Sequence, residues 1–394
     1  MSQLSLARTV VALPTPARVL FVGTFINRFG NFLGPFLVLY LTSKGDSPGQ
    51  AGLALGVVGL GNTAGNALGG TVADRLGRRA TIVVSMAGSA ACTLAVPLVV
   101  PLAGVIALVG LVGVFAQLYR PAAGALLLDV IPDDQRVTAF AVYRLAINLG
   151  MALGPAVAGL LSSRSFLYLF VGDAATSGVF GFLALTLLPE TKPAPDDGAA
   201  QGGGYGTVVR DRPYLLVLLA MGAAFFIYVQ STATLPLRVK DAGLSPSVYG
   251  LLLGLNVLVV VLVELPLTAY TRRQPPRPVI ATGLALLGLG FALTGLAHTV
   301  ATLAVTVLVW TVAEMIYSPA VSAYTGRFAP PHLRGRYQGA YGIAQMAAGA
   351  VGPVVGGYLY MRDPAALWAV CGVVGIVAAL LILAVKPHHE NGHT

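Results

Sequence analysis

Residues 70–79 read Gly70-Thr71-Val72-Ala73-Asp74-Arg75-Leu76-Gly77-Arg78-Arg79, a charged link at the junction of two apolar runs, 50–73 and 80–100. Both runs are long enough to cross a hydrocarbon core of about 30 Å as helices. Working outward, the same test gives spans at 17–41, 50–73, 80–100, 102–128, 137–161, 166–188, 213–238, 246–270, 278–298, 301–326, 335–360 and 365–386. The fold class is therefore an all-α polytopic membrane protein with twelve transmembrane helices. The composition agrees: of 394 residues, 56% are hydrophobic and only 10% charged, where a soluble domain carries roughly a quarter. The 48 Gly and 25 Pro fall inside the apolar runs, as membrane helices tolerate. Runs of this length without alternation exclude a β-barrel.

The net charge of +9 would suggest nucleic acid in a soluble protein, but no aromatic-rich basic stretch supports that. With both termini inside, Lys44, Arg164, Arg238, Lys240 and Arg362 fall outside and Arg28, Arg120 and Arg144 within spans. Every other Lys and Arg falls on the cytoplasmic side, which sets the orientation. Cys92 and Cys371 lie within apolar runs and staple no loop.

The polar, Pro- and Gly-rich stretch 189–212 reads as a cytoplasmic linker between an N-terminal six-helix half, 1–188, and a C-terminal half with a short tail, 213–394. The halves repeat at one ungapped offset of 198 positions. Ser47-Pro48 meets Ser245-Pro246, Gly52 and Gly56 meet Gly250 and Gly254, and Tyr119 and Pro121 meet Tyr317 and Pro319. Pro132, Arg136 and Tyr143 meet Pro330, Arg334 and Tyr341, and Gly154-Pro155 meets Gly352-Pro353. Two six-helix units in the same orientation are related by an axis along the membrane normal and bind substrate between them near the midplane.

The 70–79 stretch resembles motif A of the major facilitator superfamily, with Gly70, Asp74, Arg75, Gly77, Arg78 and Arg79 at its defining positions. The resemblance covers the whole chain. It implies a conformational latch. Asp74 would face the positive N-terminus of span 11, near Arg334, and Arg78 would pair with Asp129 at the end of span 4. Arg144, beside Tyr143 in span 5, would support the same latch. The second-half counterpart, Thr271-Arg272-Arg273-Gln274 through Arg277, loses the aspartate, so the latch is one-sided.

Span 5 carries Gly150-Met151-Ala152-Leu153-Gly154-Pro155-Ala156-Val157-Ala158-Gly159. This resembles most of motif C of the superfamily's twelve-helix drug/proton antiporters, with Gly150, Gly154, Pro155 and Gly159 in place. Ala158 and Ala141 stand where the pattern has glycines. Small residues permit close helix packing and proline permits a bend, and packing alone is the competing reading. Span 11 repeats Gly352-Pro353-Val354-Val355-Gly356-Gly357, which weakens a uniquely antiporter meaning. Exporters of this type carry an arginine about twelve residues before the span 4 proline. Here that position is Val109, and the arginine is Arg120, directly before Pro121.

Away from the span ends, six ionisable residues fall within spans: Arg28, Arg120, Arg144, Asp173, Glu264 and Glu314. Each costs several kcal/mol facing lipid, so they should face the interior and pair. Arg28 lies about 17 Å into span 1 and Glu314 about 20 Å into span 10. The resemblance makes spans 1, 4, 7 and 10 line a substrate cavity, with Asn27, Arg28, Asn31, Gln117, Arg120, Tyr228, Gln230, Trp310 and Tyr317 on its wall. Glu314 stands where the repeat has Ala116, so symmetry does not account for it. It is the first proton-coupling candidate, with a static ion pair as the alternative, and Asp173 and Glu264 follow.

No Gly-rich phosphate loop with Lys and no His/Cys cluster is present; His388, His389 and His393 sit near the C-terminus. No enzyme activity, metal, cofactor or nucleic-acid partner is expected. The expected protein is a monomeric multi-pass protein of the cell membrane, both termini cytoplasmic, whose partners are the bilayer, protons and a small-molecule substrate. The favoured function is proton-coupled export of amphipathic or cationic drugs or lipophilic metabolites. The alternative is transport of small organic anions clamped by Arg28 and Arg120.

Overall fold

The structure, a computed structural model, describes residues 13–132, 135–191, 205–325, 327–328 and 333–385. The tail histidines and most of the linker stretch lie outside them. Among the described residues the regular elements are helices. They are α1 (Thr15–Phe29), α2 (Leu33–Ser43), α3 (Pro48–Leu76), α4 (Arg78–Ala95), α5 (Leu102–Val130), α6 (Arg136–Ser162), α7 (Leu167–Leu187) and α8 (Tyr205–Arg210). They continue with α9 (Arg212–Tyr228), α10 (Gln230–Ala233), α11 (Leu235–Asp241), α12 (Pro246–Thr271), α13 (Pro276–Thr294), α14 (Val300–Thr325), α15 (Arg334–Arg362) and α16 (Pro364–Ala384). Hydrocarbon offers backbone groups no partner, so long apolar segments close their hydrogen bonds internally. Ten of the described helices are long and apolar enough to cross a membrane. The two further expected spans are α1–α2, which is interrupted, and α3, whose apolar character is diluted by glycine.

Spans 1 and 7, read as continuous from sequence, are both broken, and at equivalent positions of the repeat. In span 1 the Gly30 amide closes α1 on the Ile26 carbonyl at 2.9 Å and Phe32 N–H turns back to Gly30 at 2.6 Å. The first amide of α2, on Leu33, donates to Asp173 of α7 at 3.3 Å. A side chain on Gly30 would collide with Thr176. In span 7 the break follows Tyr228 and is filled by Gln230, whose amide donates to the carbonyls of Phe226 at 3.0 Å and Gly352 at 3.1 Å. Pro236 begins α11 at a position where its missing N–H breaks no helical bond.

The chain forms two compact units: Met1–Leu37 with Val57–Asp197, and Val38–Gly56 with Gly198–Thr394. The outer end of span 1 and the start of span 2 thus group with the C-terminal helices. Backbone-close packing of small residues holds each unit together. In the first, a Cβ on Gly61, Gly65 or Gly69 of α3 would strike the carbonyls of Gly110, Val114 and Leu118 on α5. In the second, Gly52 and Gly56 of α3 meet Pro353 and Ala350 of α15 in the same way. Such stripes replace the hydrophobic effect, which lipid does not supply between helices.

Gly65→Ala should therefore destabilise the protein by about 1–3 kcal/mol, the usual cost of overpacking. Gly124→Ala, with nothing within 4 Å of the added methyl, should be neutral or slightly stabilising. Thermal unfolding of the two variants in the same detergent checks the contrast.

Candidate functional site

Three groups of polar side chains interrupt the apolar helices, two in the first unit and one in the second. The first surrounds the start of α4. Gly77 has φ +97°, a left-handed conformation that favours glycine, and it turns the chain sharply from α3 into α4. Arg78 then forms an ion pair with Asp129 at the end of α5 and donates to the Ala125 carbonyl at 3.1 Å. Its backbone N–H donates to Thr191 at 3.0 Å.

Glu190, just past α7, accepts from the N–H groups of Arg79 and Ala80, both at 3.1 Å, and pairs with the Arg79 side chain at 3.5 Å. A carboxylate at a helix N-terminus satisfies orphan donors and complements the dipole. Glu190 was missed in the sequence reading, although α4 begins with no capping side chain of its own and an acid follows span 6 directly. Asp74 and Arg75 are exposed at the end of α3, as is Arg144 on α6; Gly70 has open space around it. Motif C glycines Gly150 and Gly154 pack against the backbone of α1 around Phe25 and Phe29. Pro155 lies inside α6, and the Gly159 carbonyl accepts from Ser162 and Ser163.

The second group lies deeper in the first unit. Arg28 of α1 and Arg120 of α5 donate to the same acceptor, the Gln117 side-chain oxygen, at 3.5 and 3.4 Å. The Arg28 guanidinium also lies 5.7 Å from the Tyr119 ring centroid, and Tyr119 packs edge-on against Phe180. Asn27 donates to Ser177 at 3.4 Å and to the Met86 sulfur at 3.5 Å, so it ties α1 to α4 and α7. Asn31 is exposed in the span 1 break. Asp173 is buried and caps α2 there.

The third group lies in the second unit. Glu314 of α14 is faced by Asn256 of α12 and Tyr228 of α9, with Glu264 as its nearest like charge. Asn256 is held by a 2.9 Å bond to Thr311, one turn before Glu314. The Glu314 Oε2 atom is buried without a hydrogen-bond partner. The wall is aromatic: Tyr228 stands edge-on to Trp310 at 6.0 Å, and Trp310 packs on Phe291 at 5.5 Å. Trp310 is wholly inside this packing, whereas Tyr317 is half-buried. Gln230 is consumed by the span 7 break and has no exposed surface. The arrangement offers a carboxyl that can exchange a proton, set in apolar surroundings suited to an organic cation.

Comparison with known proteins gives these groups a family. The Major Facilitator Superfamily model matches residues 20–349 and, in a second match, 231–394. The chain is 26% identical over 365 residues to a Na(+), Li(+), K(+)/H(+) antiporter of Planococcus maritimus, covering 84% of this chain and 86% of that protein. It is also 26% identical over 357 residues to the multidrug resistance protein MdtH of Cronobacter sakazakii, covering 88% and 87%. The crystal structure of a peptide transporter POT mutant in complex with sulfate superposes with a TM-score of 0.77 at 18% identity, over 96% of this chain and 97% of that one; this likeness concerns the fold alone. Matched over most of its length, the chain belongs to the major facilitator superfamily and is a multi-pass membrane transporter rather than an enzyme.

Proposed function

We propose that the protein is a proton-coupled exporter of amphipathic or cationic organic molecules, working by alternating access in the cell membrane as a monomer with both termini in the cytoplasm. The observation that carries this reading is the buried, unpartnered Glu314 oxygen beside Asn256, Tyr228 and an aromatic wall. An ionised carboxyl with no compensating charge is costly in such a place. A cation entering the site supplies the compensation, so the carboxyl can ionise and the proton leaves. Proton and cation then compete for one group, which is the exchange an antiporter needs. The similarity to an alkali cation/H(+) antiporter and to a multidrug resistance protein supports the same direction. Glu264, whose like charge acts on Glu314, tunes the competition. Asp173 is the reserve proton carrier, on the first unit.

The latch belongs to the same cycle. Arg78 with Asp129, together with Asp74, holds the cytoplasmic side closed and is released for inward opening. Glu190 anchors the loop that presents these groups.

Glu314→Gln should fold normally and bind neutral ligands, yet lose substrate accumulation driven by an imposed pH gradient in liposomes. Full gradient-driven transport by that variant would make the carboxylate structural and move the role to Asp173 or Glu264. Asp74→Asn should shift the population toward the inward-open state, read as longer distances between spin labels on the cytoplasmic ends of the two halves. Unchanged distances in both Asp74→Asn and Arg78→Ala would remove the latch.

A further inference from the structure

The first unit carries an unbalanced positive charge that the exporter reading does not use. Arg28 and Arg120 together present ten N–H donors, and they share the Gln117 oxygen as a side-chain acceptor. Holding two guanidinium groups on one atom sets like charges close together, and inside protein that repulsion is several times stronger than in water. The ion pairs Arg78–Asp129 and Arg79–Glu190 do not reach this pair. The Arg28 Nε and the Tyr119 hydroxyl are both buried without a partner, and Tyr119 has no exposed surface. Arg120 is exposed and Arg28 half-buried, so the cluster is open on one side. What is missing is an acceptor, and a negatively charged one.

We propose that Arg28, Gln117, Tyr119 and Arg120 form an anion site that takes the carboxylate of an otherwise apolar organic molecule. Guanidinium groups match a carboxylate by paired, charge-assisted hydrogen bonds. The Tyr119 ring under Arg28 gives the site an aromatic flank, and Phe25 and Phe29 stack on each other on the same helix as Arg28. Such an apolar flank suits an aromatic or aliphatic body and disfavours a strongly hydrated inorganic dianion, whose water it does not replace. The site lies wholly within the first unit and extends the substrate range beyond cations. It goes beyond the exporter reading and does not depend on Glu314 as a proton carrier.

Three probes of one shape test this by titration calorimetry on the full chain in nanodiscs of zwitterionic lipid: 1-naphthoate, neutral 1-naphthamide and 1-naphthylmethylammonium. Naphthoate should bind at least about tenfold more tightly than naphthamide, the effect of one charge-assisted bond. Arg28→Gln and Arg120→Gln should each remove that preference. Gln117→Glu places a carboxylate between the arginines, so it should keep the fold and abolish naphthoate binding. Equal binding of naphthoate and naphthamide, or naphthoate binding that survives Gln117→Glu, would overturn the proposal. Two other sources of the anion are also distinguished. A gain of about tenfold in naphthoate affinity in Glu314→Gln would make Glu314 the arginines' counter-ion. Loss of naphthoate binding in nanodiscs of anionic lipid would assign the site to a lipid phosphate. Either result overturns the carboxylate-substrate site. The exporter reading is tested separately, by proton-driven transport.

Discussion

Hydrocarbon supplies no hydrogen bonds, and that one constraint organises this molecule. It forces long apolar segments into helices, and it makes every polar group placed among them expensive unless something answers it. Most are answered locally. Asn256 is held by Thr311, Asn27 by Ser177, and Gln230 fills the break in its own span. Asp173 meets an exposed helix start rather than a cation. Among the groups left over are one oxygen of Glu314, the Nε of Arg28 and the Tyr119 hydroxyl, beside the crowded pair Arg28–Arg120 around Gln117. A transporter pays for such groups because a ligand or a proton completes them during the cycle.

The leftover charge is divided by sign. The described membrane helices of the first unit hold Arg28, Arg120 and Arg144 against a capped Asp173, whereas α12 and α14 of the second hold Glu264 and Glu314. The internal repeat does not account for this, since the mates of Glu314 and Arg28 are Ala116 and Phe226. The repeat gives the frame, and these charges break its symmetry. On the proposals made above, the Arg28–Arg120 site of the first unit takes anions and the Glu314 site of the second takes protons and cations.

Much of this was legible in the amino-acid sequence, for physical reasons. Apolar runs near 20 residues have few alternatives to a spanning helix. The 70–79 stretch pointed to Arg78 and Asp129, which the structure brings into an ion pair. The breaks in spans 1 and 7 were not legible. Membrane helices tolerate glycine, so Gly30 reads as an ordinary small residue until Thr176 and Asp173 are seen packed against it. Glu190 was missed for a related reason, because it caps a helix that starts 111 residues earlier. Gln230 and Trp310 looked like cavity residues by type, yet one is spent on backbone groups and the other on packing. Type and depth can be read from sequence, but which side of a helix is already occupied requires the neighbouring helices.

The central claim is that an intramembrane carboxyl exchanges its proton for a cation. The most direct measurement is proton release when tetraphenylphosphonium is added to purified protein in a weakly buffered solution, followed with a pH dye alongside the binding isotherm. The account predicts release that saturates with binding and approaches one proton per bound cation near neutral pH. Tight binding of the cation with no proton released at any pH between 6 and 8 would contradict it.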